Sequence, residues 1–229
     1  MSGISERLKQ VQTNLQSAAQ RHHRDAGEIA LLAVSKTRAA EELREAYGCG
    51  QRLFGENYLG EAMTKMAALS DLAIEWHFIG GIQSNKTADI AQHFAWVHSV
   101  DRLKIARRLS QARPAGLDPL KVLIQVNISG EQTKGGIPPD ELAALANDIA
   151  ELPNIELRGV MALPAPQTDA AKQLEACRAV CELAAQLARE GTVPDPVISL
   201  GTTSDFEPAI AAGSTMVRIG TAIFGPRTR

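Results

Sequence analysis

Lys36 closes the apolar run IALLAVS, which sets its ammonium at the rim of an apolar mouth. Desolvation there disfavours the charged form, and the neutral amine is the form that attacks an aldehyde. A lysine snorkelling from a strand end into solvent is the plain alternative. Much later in the chain, Gly201, Thr202, Thr203 and Ser204 close one apolar run, and Gly220 and Thr221 close another. Glycines let backbone N–H groups approach an anion, a hydroxyl of Thr203 or Ser204 adds a donor, and a helix expected near Phe206 to Ala212 offers its positive end. Ordinary capping of that helix by Ser204 or Asp205 uses the same residues and is compatible with phosphate binding. If the lysine and these loops face one mouth, a phosphate-bearing aldehyde is anchored at one end and bonded at the other. That conjunction lifts Lys36 above the snorkelling alternative.

Arg218 lies inside an apolar run, two residues before Gly220, and a buried arginine needs a partner; an ion pair with a carboxylate is the simplest. His77, in EWHFIGGIQSNK, reads as a lone structural histidine on a strand. His22 and His23 read as solvated, and His93 and His98 as too isolated for a metal site. No metal is expected. Glu56 and Asn57 close a further run, Asn127 another, and Met161 stands near the end of a third.

The elements that would position these residues alternate from residue 29 onward. Short runs rich in β-branched residues are separated by longer amphipathic segments, as in βα units around a parallel sheet. Eight strands are expected: Ile29 to Ser35, Gln51 to Gly55, Ile74 to Ile79, Ala95 to Val100, Leu120 to Asn127, Glu156 to Ala162, Pro196 to Leu200 and Met216 to Ile219. Helices are expected at Ala39 to Tyr47, Tyr58 to Ala68, Asp101 to Gln111, Pro139 to Glu151 and Asp169 to Glu190. Eight such units point to a single (β/α)8 TIM-type barrel, whose active site lies at the C-terminal ends of the strands. A doubly wound open sheet uses the same alternation, but no GxGxxG turn follows the first strand. The N-terminal residues, with Leu8, Val11 and Leu15 on one stripe, form an extra helix in an extension over 1–28. One α/β domain over 1–229 is expected, with Arg113 to Pro119 as the longest irregular piece, a surface connection.

Bulk properties exclude several classes. The 229 residues are 45% hydrophobic, enough for one sizeable core, and 24 Lys plus Arg balance 26 Asp plus Glu. No basic cluster interleaved with aromatics suits a nucleic acid, and no stretch approaches a membrane span. The three cysteines, Cys49, Cys177 and Cys181, form no CxxC pair and suit a reducing compartment, so a cytoplasmic protein is expected.

With these residues assembled, the chain resembles the pyridoxal phosphate homeostasis protein family, single-domain relatives of the alanine racemase N-terminal barrel. The likeness runs from about Leu31 to Pro226 through LLAVSKT, FGENY, EWHFIGGIQSNK, VLIQVNISGE, LRGVMALPAP and GSTMVRIGTAIFG. It implies that Lys36 holds pyridoxal 5′-phosphate as a Schiff base and that Asn57 lies close to the cofactor. It places Met161 near the ring, Arg218 by the pyridine nitrogen, and Gly220 and Thr221 at the phosphate. One block departs: where the family reads SMGMSxD this chain has SLGTTSD, so Thr203 stands in place of the phosphate-binding serine. The hydroxyl is kept on a side chain stiffer at χ1, and Ser204 is a substitute donor.

The resemblance also implies a cofactor carrier or reservoir in vitamin B6 homeostasis, a monomer, with pyridoxal phosphate-dependent apoenzymes as recipients and no established turnover. An arginine at the ring nitrogen disfavours its protonation and weakens the electron sink that carbanion chemistry needs. The sequence shows no second domain to supply a base on the opposite face, so racemisation is expected to be slow or absent. A pyridoxal-dependent amino-acid racemase, and an aldolase using Lys36 on a sugar phosphate, are the alternatives.

Overall fold

The computed structural model describes residues 3–131 and 134–226, so the outermost ends of the expected domain lie outside the described residues. The chain opens with helix α1 (Ile4–Arg21) and then runs β1 (Ala30–Val34), α2 (Ala40–Gly48), β2 (Leu53–Glu56), α3 (Leu59–Ala68), β3 (Glu75–Phe78), α4 (Thr87–His93), β4 (Trp96–Val100) and α5 (Leu103–Ala112). It continues through β5 (Leu120–Val126), α6 (Leu142–Ala150), β6 (Ile155–Ala162), α7 (Ala170–Arg189), β7 (Val197–Ser199), α8 (Phe206–Ala212), β8 (Met216–Ile219) and α9 (Thr221–Phe224). The strands close into a barrel in sequence order, all parallel, with β8 pairing back onto β1 through Leu32↔Arg218 and Ala33↔Ile219.

Parallel strands with helices outside are covered on both faces, which is why their sequences read as continuous apolar runs. The β5 and β6 pair is the longest, in register from Leu120↔Ile155 to Val126↔Ala162 with one bulge. The main core lies where the helices pack on the sheet, for example Leu43, Phe54, Ile90, Leu109 and Ile124. A small separate cluster of Trp96, Leu123 and Met161 fills part of the barrel interior.

Helix α1 buries Ile4, Leu8, Val11 and Leu15, the expected stripe. It packs on the last two helices through polar ties as well. Arg7 Nε donates to Ile223 O at 2.7 Å and Arg21 pairs with Glu207, while Arg24, just past the helix, donates to Ser214 O and Ile210 O.

Arg113 to Pro119 is a surface connection, exposed from residue 115 to 119 and anchored by the buried Arg113, whose guanidinium donates to Ala91 O, Phe94 O and Asp118 O, but it is not the longest irregular piece as expected. A longer irregular piece follows β5, where the described residues between 127 and 138 hold only an isolated bridge, Val126↔Ile137. Helix α4 was not legible as an element, since it follows a 3-10 turn directly and carries only Thr87, Ile90 and Ala91 as a buried face.

Candidate functional site

At the C-terminal ends of the strands lies a cavity of about 360 Å³. Lys36, Asn57, Met161, Thr203, Ser204, Arg218, Gly220 and Thr221 all line it. These are the residues singled out from the sequence, contributed by the ends of β1, β2, β6, β7 and β8, and Val34, Ile79 and Leu163 supply apolar wall between them. Lys36 and the two glycine-bearing loops therefore face one mouth. A second cavity of about 390 Å³ adjoins it, sharing Leu163, Thr202, Ser204 and Arg218 as a wall.

The backbone around Lys36 is held on both sides. Lys65, only 4% exposed, reaches from α3 to donate to Ser35 O at 2.7 Å and to Glu56 Oε1 at 2.7 Å, and it pairs with Glu61. Ser35 Oγ donates to the same Glu56 oxygen at 2.6 Å. On the other side, Thr37 N donates to Glu61 Oε1, and Thr37 sits at φ +63°, a left-handed conformation unusual for a β-branched residue. Burial pushes the Glu56 carboxyl above its ordinary range, against the pull of Lys65 and Ser35. Lys65 and Glu61 were missed in the sequence, although their i,i+4 spacing on a helix is the legible sign of a pair.

Asn57 is set by a close approach. A Cβ on Gly80 would lie 2.1 Å from Asn57 O, so only glycine lets the loop after β3 pack against the end of β2. The Asn57 Oδ1 is buried with no hydrogen-bond partner among the described residues, and the residue lines the cavity.

Across the mouth, Gly201 turns the chain at φ +95°, where a Cβ would also meet Ala209 Cβ at 2.7 Å. Thr202 is committed inward, since its N and Oγ1 both donate to Asp205 Oδ1, at 2.7 and 2.6 Å. Ser204 Oγ lies 3.3 Å from Thr202 Oγ1. The expected capping of α8 by a side chain is not what these residues do: Asp205 occupies the N-cap position, makes no side-chain cap, and bonds back to Thr202. Thr203 is exposed at the tip of the turn and lines the cavity. On the neighbouring strand, Gly220 precedes Thr221 at the start of α9, whose first N–H groups lack intrahelical acceptors.

Arg218 is buried, and its partners differ from the expected carboxylate. Nη1 donates to Ser199 O and, at 2.7 Å, to Ser199 Oγ, and Nη2 donates to Ala162 O at 2.8 Å. Burial lowers its pKa to about 10, with Asp205 acting the other way, so it stays a cation at neutral pH.

The reading of His77 as a lone histidine and of His98 as isolated is corrected. The two are hydrogen-bonded inside the barrel, His77 Nδ1 to His98 Nε2 at 2.9 Å. His98 Nδ1 faces Ser199 Oγ at 3.0 Å, and His77 Nε2 faces Glu75 Oε1 at 3.0 Å. Burial drives His98 well below the ordinary histidine value and lowers His77 too. His98 and Ser199 stand 101 positions apart, and no local pattern announces their contact.

Residues 7–228 match the family described as alanine racemase, N-terminal domain. The chain is 52% identical over 227 residues to the pyridoxal phosphate homeostasis protein of Pseudomonas aeruginosa, covering 99% of this chain and 97% of that one. It is 50% identical over 230 residues to the Escherichia coli K12 protein of the same name, covering 99% and 98%. Among solved structures it is similar to PipY of Synechococcus elongatus with PLP bound, at 34% identity and a TM-score of 0.83 over 97% of this chain and 100% of that one.

Proposed function

The chain belongs to the pyridoxal phosphate homeostasis protein family, within the wider alanine racemase N-terminal domain family, and from that membership we propose that it holds pyridoxal 5′-phosphate through Lys36 and serves as a cytoplasmic, monomeric carrier of that cofactor. One observation carries the reading: an amine and two glycine-bearing loops, from the adjoining strands β1, β8 and β7, line one cavity at a size within the range of small-molecule sites. The residues present fit the group. Lys36 would hold the aldehyde of the group through its amine. Gly220, Thr221 and Thr203 would hold its phosphate, Arg218 and Met161 would hold its ring, and Asn57 would line the site beside it. When bound, the cofactor supplies an electrophilic aldehyde on an electron-withdrawing ring.

The chain's own residues favour retention over turnover. A guanidinium anchored by three hydrogen bonds would present positive charge to a ring nitrogen and disfavour its protonation, which would weaken carbanion stabilisation. The backbone on both sides of Lys36 is pinned, which suits a fixed tether. Unpaired Cys49, Cys177 and Cys181 suit a reducing compartment, and among the described residues no helix is long and apolar enough to cross a membrane. Pyridoxal phosphate-dependent apoenzymes are the proposed recipients.

The test is spectroscopic. Purified protein should be yellow, with a visible band that borohydride bleaches and that Lys36→Ala abolishes; a band that survives Lys36→Ala rejects the assignment. Incubation with L- and D-alanine in deuterated water should leave Cα unlabelled, and labelling at an enzyme-like rate would replace the carrier with a racemase.

A further inference from the structure

The interior of a (β/α)8 barrel is ordinarily filled by bulky aliphatic side chains. Here β3, β4, β7 and β8 instead contribute a continuous polar column of His77, His98, Ser199 and Arg218, ending on Glu75. Ser199 ends β7 at the mouth, and Glu75 begins β3 at the opposite end, where its side chain is 38% exposed. A buried polar group is costly unless its hydrogen bonds are all made, so the column's full pairing gives it a definite internal order.

That order has one sense. A guanidinium can only donate, so Ser199 Oγ accepts from Arg218 and has its own hydrogen left for His98 Nδ1. A carboxylate can only accept, so His77 carries its hydrogen on Nε2, facing Glu75. Its bare Nδ1 then accepts from His98 Nε2–H. Both imidazoles are neutral Nε2–H tautomers, and every donor points from the mouth toward Glu75. A proton added at His77 Nδ1 would force His98 into the opposite tautomer and leave the Ser199 hydroxyl hydrogen without an acceptor in the column. The charged and titratable groups facing it are Glu75, Lys121, Arg218 and Asp205, and Trp96 stacks on His77 at a centroid distance of 5.4 Å.

We propose that Ser199, His98 and His77 are positioning residues for Arg218, a one-way hydrogen-bonded column that fixes the guanidinium against the cavity wall and thereby sets how firmly the cavity holds a heteroaromatic ring. The proposal builds on the reading of the cavity as a pyridoxal phosphate site, and its test separates the two. Nitrogen-15 spectra of the cofactor-free protein should show His77 and His98 as neutral Nε2–H tautomers between about pH 6 and 8. An Nδ1–H tautomer, or titration of either ring in that range, overturns the column whatever the cavity binds.

On protein loaded with pyridoxal 5′-phosphate, Ser199→Ala and His98→Leu should release the cofactor at about three- to tenfold lower dilution and shift its visible band. His98→Gln, whose amide accepts from Ser199 and donates to His77, should restore both. Ser199→Ala deletes a single oxygen and carries the test if His98→Leu fails to fold. Ser199→Ala with wild-type retention and an unshifted band overturns the positioning role. Wild-type protein that takes up no cofactor overturns the functional reading and the positioning role together, while the nitrogen-15 result still decides the order of the column.

Discussion

Thr37 and its surroundings show what the site demands of single residues. A β-branched residue at φ +63° persists only where neighbours over-determine it, and Glu61 and Lys65 do so by gripping the backbone on either side of Lys36. Lys65→Met should cost about 3–5 kcal/mol in urea unfolding, because it strands Glu56 as a buried charge. Adding Glu56→Gln should recover part of that loss, and no recovery would mean the pair is not coupled. At the phosphate side, Thr203→Val should weaken cofactor retention about tenfold or more, the scale of a lost hydrogen bond to a charged group. Ser204→Ala should change it little, since Ser204 Oγ already faces Thr202. The reverse ranking in a dilution assay would transfer the phosphate to Ser204.

Among elements, the strands were the most legible part of the molecule. Each expected strand overlaps an observed one, because a parallel sheet buried on both faces writes itself as an apolar run bounded by polar residues. Most of the mouth residues were legible for the same reason, as polar positions just after those runs, while Arg218 was legible as a charge inside one and Met161 only through the family resemblance. What stayed hidden was contact between distant elements, such as Lys65 of α3 under β1 and His98 of β4 against Ser199 of β7. Loop packing was likewise hidden: nothing in the local sequence says that Gly80 must admit Asn57 O. Gly80→Ala should cost about 2–3 kcal/mol by thermal or urea unfolding and loosen cofactor retention by displacing Asn57. Loss of stability with unchanged retention would separate Asn57 from the ligand.

For the whole molecule, the buried column ties stability to pH. His98 and His77 are held neutral below the ordinary histidine value of 6.5 while the unfolded chain protonates them there. The unfolded state then binds more protons, so stability is fully present above about pH 6.5 and falls as pH drops toward the folded values, by up to about 1.4 kcal/mol per pH unit for each histidine. Urea midpoints from pH 7 to 5 should show this slope, and His98→Gln should flatten it; an equal slope in the variant would assign it to other groups.

Helix α1 also has a consequence in time. Its apolar stripe is covered by elements that include α8 and α9, and it reaches them through Arg7 and Arg21. During synthesis at about 5–20 residues per second, α1 emerges roughly ten to forty seconds before those partners. Its stripe must stay uncovered or be sheltered for that interval. A nascent chain halted before Gly201 already contains Lys36 and has neither glycine-bearing loop, so the ability to anchor a phosphate arrives long after the amine.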